Sequence, residues 1–264
     1  KLFLWGSGGH GQLGLQGVPG AIADQLSPAP VSGPLAGKTI QDVSAGAAHT
    51  LVIMEGVCYA FGCGAHGRLG VASKKHLAEP ALVVGLEGKR VTNVAAGVCH
   101  SLILTEDGKL FAFGYGAFGQ LGQGNTQDEL TPVEIAGALA GKRVVSMAAA
   151  FHHSLAVCDD GSLYAFGQGV EGQLGHGTTK DSLVPIHVSL LADKHLTAVS
   201  AGDFYSMALS SEGRVYAWGQ NSHGQLGIGT CGEPQLTPLE VGGELGSQIV
   251  TSIAAGITHS AAIT

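Results

Sequence analysis

The sequence predicts an all-β protein assembled from repeated four-stranded antiparallel sheets, and three observations predict it. One ten-residue block occurs five times: WGSGGHGQLG (5–14), FGCGAHGRLG (61–70), FGYGAFGQLG (113–122), FGQGVEGQLG (166–175) and WGQNSHGQLG (218–227). Its leading glycines, Gly6, Gly62, Gly114, Gly167 and Gly219, are separated by 56, 52, 53 and 52 residues. A second block keeps the same step: SAGAAHT (44–50), AAGVCHS (95–101), AAAFHHS (148–154), SAGDFYS (200–206) and AAGITHS (254–260). Self-similarity at a period near 50 marks a repeat architecture. Finally, 43 of 264 residues are glycine, against a usual ~7 %. Each glycine costs a helix interior about 1 kcal/mol, and collagen needs glycine at every third residue and far more proline than the 9 present.

Each repeat reads alike. An apolar run such as HSLILT (100–105) meets the turn EDG (106–108) and returns as KLFAFG (109–114), and an Asp-Gly between hydrophobic runs is a hairpin signal. DDG (159–161) and SEG (211–213) repeat it. The returning strand alternates a bulky row (Phe3 and Trp5, Tyr59 and Phe61, Phe111 and Phe113, Tyr164 and Phe166, Tyr216 and Trp218) with a small row (Ala60, Ala112, Ala165, Ala217). Both faces are apolar, so each sheet is expected between two others, with the bulky row filling the gap. Four-stranded sheets stacked this way are the blades of a β-propeller. The expected domain is a single one over 1–264. It is either a closed five-bladed ring, whose first strand (KLFLWG) and last strand (HSAAIT) share a blade, or five units of a seven-bladed ring.

The net charge of −7 argues against direct nucleic-acid binding, which needs a basic stripe. Apolar runs are too short for a membrane helix. Five cysteines (Cys58, Cys63, Cys99, Cys158, Cys231) without a CxxC read as reduced, partly buried thiols, and the expected location is cytoplasmic or nuclear. The chain begins at Lys1 without a leader and reads as an excised piece.

The run AAGVCHSLILTEDGKLFAFGYGAFGQLGQG (95–124) resembles the repeat of the regulator of chromosome condensation family, and the resemblance extends over essentially the whole chain. It implies a propeller, typically seven-bladed. It also implies one of three roles: nucleotide exchange on a small GTPase, partner recognition within larger ligases or ciliary scaffolds, or tryptophan-based light sensing. The last calls for a tryptophan cluster, and this chain has only Trp5 and Trp218.

The blocks GSGGHG (6–11), GCGAHG (62–67), GYGAFG (114–119) and GQGVEG (167–172) fit a dinucleotide fingerprint, but no helix pattern follows, so they are expected to be turns and no cofactor is expected. His49, His100, His153 and His259 recur at one position. Spread around an axis they are too far apart to share a metal, and structural hydrogen bonding is expected of them. No nucleophile elbow, HExxH or Walker lysine appears, so no covalent catalysis is predicted.

A residue needed only for the fold should look alike in every copy, whereas a contact residue need not. The two blocks flank one hairpin at the end opposite its Asp-Gly turn, so both loops crowd one face. There the third and fourth repeats carry Tyr115, Phe118, Phe151, His152, Val170, Glu171, Asp203 and Phe204, with Tyr205 in place of histidine. Aromatic residues with a few charges are enriched in binding patches. A protein partner on this loop face is the expected function, with channel-mouth filling as the alternative role of the rings. The alternative function is guanine-nucleotide exchange on a Ran-like small GTPase. In the Ran-type factor that the family resemblance brings in, a hairpin wedge protrudes from the propeller. Here the intervals from GQLG to the AG position are 32, 27, 28, 27 and 29 residues, and neither the extra stretch 17–26 nor TCGEP (230–234) has room for one.

Overall fold

The computed structural model describes residues 1–15 and 23–264; most of the extra stretch 17–26 lies outside them. The chain forms two compact units. Among the described residues the first (1–116 and 127–134) holds three antiparallel sheets. One pairs β1 (Phe3–Gly6) with β2 (Gln25–Pro30). The next orders β3 (Asp42–Ala45), β4 (His49–Met54), β5 (Val57–Gly62) and β6 (Leu77–Leu82) side by side, and the third does the same with β7 (Val91–Ala96), β8 (His100–Thr105), β9 (Leu110–Gly114) and β10 (Glu129–Glu134). The second unit (117–126 and 135–264) holds β11 (Val144–Ala149), β12 (His153–Cys158), β13 (Leu163–Gly167) and β14 (Ser182–His187) in one sheet. A further sheet joins β15 (Leu196–Ala201), β16 (Tyr205–Ser210), β17 (Val215–Asn221) and β18 (Gly232–Glu240), and β19 (Ser252–Ala255) pairs with β20 (Ser260–Ile263).

The hairpins fall where the turn residues place them. Between β4 and β5 the two-residue turn Glu55-Gly56 has φ of 55° and 76°, the primed geometry that matches the twist of paired strands. Between β8 and β9, the Gly108 N–H closes onto the Thr105 carbonyl. The outer strands β6, β10, β14 and β18 carry Pro80, Pro132, Pro185 and Pro238, and a residue lacking an N–H is tolerated at a sheet edge.

Within each unit the sheets pack face to face. Ala60 and Ile53 share a core with Phe111 and Phe113 of the following sheet, and Ala165 and Val157 share one with Tyr216 and Trp218. Aromatic and small rows therefore interlock, as close-packed interiors require. The closing glycine of the GQLG block makes this possible: at Gly175, φ is 70° and a Cβ would lie 2.7 Å from Trp218 Nε1.

The two-stranded sheets differ from expectation. Phe3 and Trp5 are 45 % and 61 % exposed, whereas Phe61, Phe113, Phe166 and Trp218 are fully buried. The row that fills the gap between four-stranded sheets thus faces solvent on β1. Among the described residues β1 pairs with β2 and β20 with β19, each in a two-stranded sheet of its own unit.

Candidate functional site

The two repeated blocks meet at the same end of every hairpin. His49 is opposite Gly62, His100 opposite Gly114, His153 opposite Gly167 and Tyr205 opposite Gly219. At Gly167, where β13 bulges with φ of 108°, a Cβ would lie 2.4 Å from the His152 carbonyl oxygen. Glycine here lets the two loops lie side by side.

The histidine row is structural. The Ser101 hydroxyl donates to the Arg68 carbonyl (2.7 Å), so the His49 Nε2–H donates to Ser101 Oγ (2.9 Å). Ser206 and His153 repeat the arrangement, with Gln173 as the acceptor (2.8 and 2.9 Å). Each bond ties one repeat to the next. Burial, aided by the Arg68 charge at His49 and by His152 at His153, lowers both imidazoles to about 3, so they are neutral at physiological pH. His49 and His153 each engage the serine of the following repeat, Ser101 and Ser206.

The glycine block is a turn. Its second glycine donates its N–H to Asp24 in the first repeat, Asp128 in the third and Asp181 in the fourth (3.1, 3.3 and 2.8 Å), and to His76 Nδ1 in the second (3.0 Å). The glutamine of GQLG accepts from the backbone two residues earlier, as Gln120 does from Phe118 (3.1 Å) and Gln173 from Glu171 (2.9 Å). These side chains fix the loop backbone and leave the variable positions free to differ.

In the second unit those variable positions form a continuous row of rings. Phe118 stacks on His152 (centroids 4.5 Å apart, planes at 27°), His152 meets Phe151 (4.1 Å) and Phe151 meets Phe204 (5.3 Å). All four are half-buried, as are Asp203 and Glu171, while Val170 is exposed. Burial raises the Asp203 carboxyl above its ordinary range. It also lowers His152, against a hydrogen bond that the imidazole gives to Gln168 and that acts the other way.

Two expected members fall elsewhere. Tyr205 is fully buried, its hydroxyl donating to the His259 carbonyl at 2.5 Å. It therefore belongs with the buried histidine row, because a longer side chain at that position reaches the next repeat directly. Tyr115 lies in the first unit with its ring 4.6 Å from His66. Beside it, Asp128 receives His66 Nδ1 (2.9 Å) and Lys74 Nζ (3.3 Å). Burial pushes the Asp128 carboxyl up, but the hydrogen bonds from His66, Gly116 and Lys74 outweigh it and hold the group below its usual range. Sequence reasoning missed this cluster. The available signal was spacing, since His76, Asp128 and Asp181 each follow their glycine by twelve residues.

Stacked four-stranded sheets stitched from repeat to repeat by buried side chains define a repeat protein of the β-propeller class. The chain belongs to the regulator of chromosome condensation (RCC1) repeat family, whose repeat matches residues 1–53, 55–104, 107–157, 160–209 and 212–263. It is 33 % identical over 265 residues to the ultraviolet-B receptor UVR8 of Arabidopsis thaliana, covering all of this chain and 58 % of the receptor. The solved structure of human WBSCR16 superposes with a TM-score of 0.87 at 28 % identity, over 99 % of this chain and 68 % of that one. Prp20p of Saccharomyces cerevisiae superposes with a TM-score of 0.79 at 24 % identity, over 91 % of this chain and 59 % of that one. The chain thus spans little more than half the length of UVR8. Among the described residues no helix is long and apolar enough to cross a membrane.

Proposed function

We propose that this chain is a protein-interaction module that docks a protein partner on the loop surface of its second unit, through Phe118, Phe151, His152 and Phe204. One observation carries the reading: four aromatic rings in continuous contact remain half-exposed, at positions where the first, second and fifth repeats carry mainly small residues or histidine. Such rings offer large contact area at low entropic cost, and interface hot spots are built from them. Asp203 and Glu171 at the same loops favour a partner segment that brings a cation to the rings.

Guanine-nucleotide exchange on a Ran-like GTPase is the second reading, supported by the likeness to Prp20p, whose structure is described together with its binding to Gsp1p and histones. Exchange needs only tighter binding of the nucleotide-free GTPase, so an interaction surface could serve it. Capture of partners by the wild-type chain and by the Phe118→Ala/Phe204→Ala variant tests the docking site. Loss of specific partners with unchanged melting supports it, and identical capture retires it. Release of labelled GDP from Ran, faster with the chain than without it, would move the function to exchange.

A further inference from the structure

A cluster in the first unit lies apart from the aromatic row. His10, Cys63 and His76 bring one ligand atom each to within 4.8 Å of one another. The imidazoles meet edge to face, with centroids 5.1 Å apart. Cys63 is buried and its N–H is bonded to the Ala48 carbonyl, whereas both histidines are exposed.

The fold explains why these three positions converge. His10 and His66 occupy the same place in the first and second glycine blocks, Cys63 and Tyr115 directly follow the leading glycine of the second and third, and His76 and Asp128 are the caps twelve residues beyond Gly64 and Gly116. One repeat later, the corresponding trio is already in contact: His66 Nδ1 lies 2.9 Å from Asp128 and its ring 4.6 Å from Tyr115. The repeat geometry thus delivers three side chains to one point, and between the first and second repeats all three are nitrogen or sulfur donors.

We propose that His10, Cys63 and His76 bind one borderline-soft divalent cation of the zinc class. Zinc takes thiolate sulfur at about 2.3 Å and imidazole nitrogen at about 2.0–2.1 Å in tetrahedral sites. The observed separations, all within 4.8 Å, must contract onto one ion, and the two imidazoles that would move are exposed while the sulfur is buried. One sulfur and two nitrogens disfavour magnesium and calcium, which prefer oxygen. Three protein ligands leave the fourth position to water. Binding releases the Cys63 thiol proton. It also has a local consequence. A neutral imidazole has one free lone pair, and His76 now gives it to the Gly64 N–H (3.0 Å). Whichever ring nitrogen takes the ion, that N–H loses its acceptor.

Cobalt(II) titration of the whole chain tests the site. The expected result is one equivalent bound, with a thiolate-to-cobalt charge-transfer band and tetrahedral d–d bands, both abolished by zinc. Cys63→Ser should remove the charge-transfer band, while Cys231→Ser, at an exposed thiol elsewhere, should keep it. His10→Ala and His76→Asn should each weaken binding at least about tenfold, a ligand being worth no less than the partners that orient it. The asparagine can still accept from Gly64, which protects the loop. In the wild type, zinc should shift the Gly64 amide resonance. Absence of a charge-transfer band up to millimolar cobalt, or the same band in Cys63→Ser, overturns the proposal. Neither result bears on the aromatic surface.

Discussion

In the first unit the loop ends carry titratable side chains: His66, Lys74 and Asp128 around Tyr115, and His10 with His76 beside a buried thiol. In the second, the corresponding loops carry Phe118, His152, Phe151 and Phe204 in ring-to-ring contact. The backbone beneath is the same in both, with a glycine bulge, an acceptor twelve residues on and a buried imidazole bonded to the next repeat. The comparison teaches that the frame and the surface are separable: residues that hold the loop recur, and residues that face outward vary from unit to unit.

The largest test of that separation is in the buried row. Trp218→Ala in the second unit and Phe61→Ala in the first should each cost about 3–5 kcal/mol in denaturant unfolding, with Trp218 also leaving the Gln173 carbonyl without its indole donor. Trp5→Ala, at the equivalent but exposed position, should change stability by less than about 1 kcal/mol. Similar costs at all three positions would show that the two-stranded sheet is covered after all.

The histidine stitch gives the next effect, and the two units should share it. His49 and His153 have folded values near 3, below the unfolded ~6.5. The unfolded chain therefore binds more protons between these limits. The contribution is fully present above pH ~6.5 and is lost as pH falls toward 3. Each should cost about 2 kcal/mol between pH 7 and pH 5, read by urea unfolding at the two pH values. His153→Gln should remove about half of that dependence, and an unchanged slope would mean the imidazoles are not held neutral.

A smaller effect distinguishes the loop caps. Asp181→Ala, which deprives the Gly169 N–H of its acceptor, should cost about 1–2 kcal/mol, and Asp181→Asn about half as much. No loss in either would mean that the caps do not hold the loops.

Much of this was legible in the sequence because it repeats. The Asp-Gly hairpins, the alternation of Phe113 with Ala112 and the turn glycines are local signals, and each is read from a few adjacent residues. Tyr205 was misread as a surface residue because its departure from histidine looked like a contact, whereas the hydroxyl reaches the same neighbouring repeat that the imidazole does. For the grouping of His66 with Asp128, 62 residues apart, only the twelve-residue step from Gly116 to Asp128 is local; the rest depends on which loops the stacked sheets bring together. The exposure of Phe3 and Trp5 was hidden for a related reason: their residue types match the buried row, and only the number of strands paired with β1 sets them apart.

The most direct measurement is the affinity of a partner captured by the wild-type chain, compared between that chain and the Phe118→Ala/Phe204→Ala variant, alongside the melting temperature of each. Loss of two aromatic anchors should weaken binding at least about 30-fold while melting stays within a few degrees. Equal affinity at equal melting temperature would contradict the placement of the docking surface on the second unit.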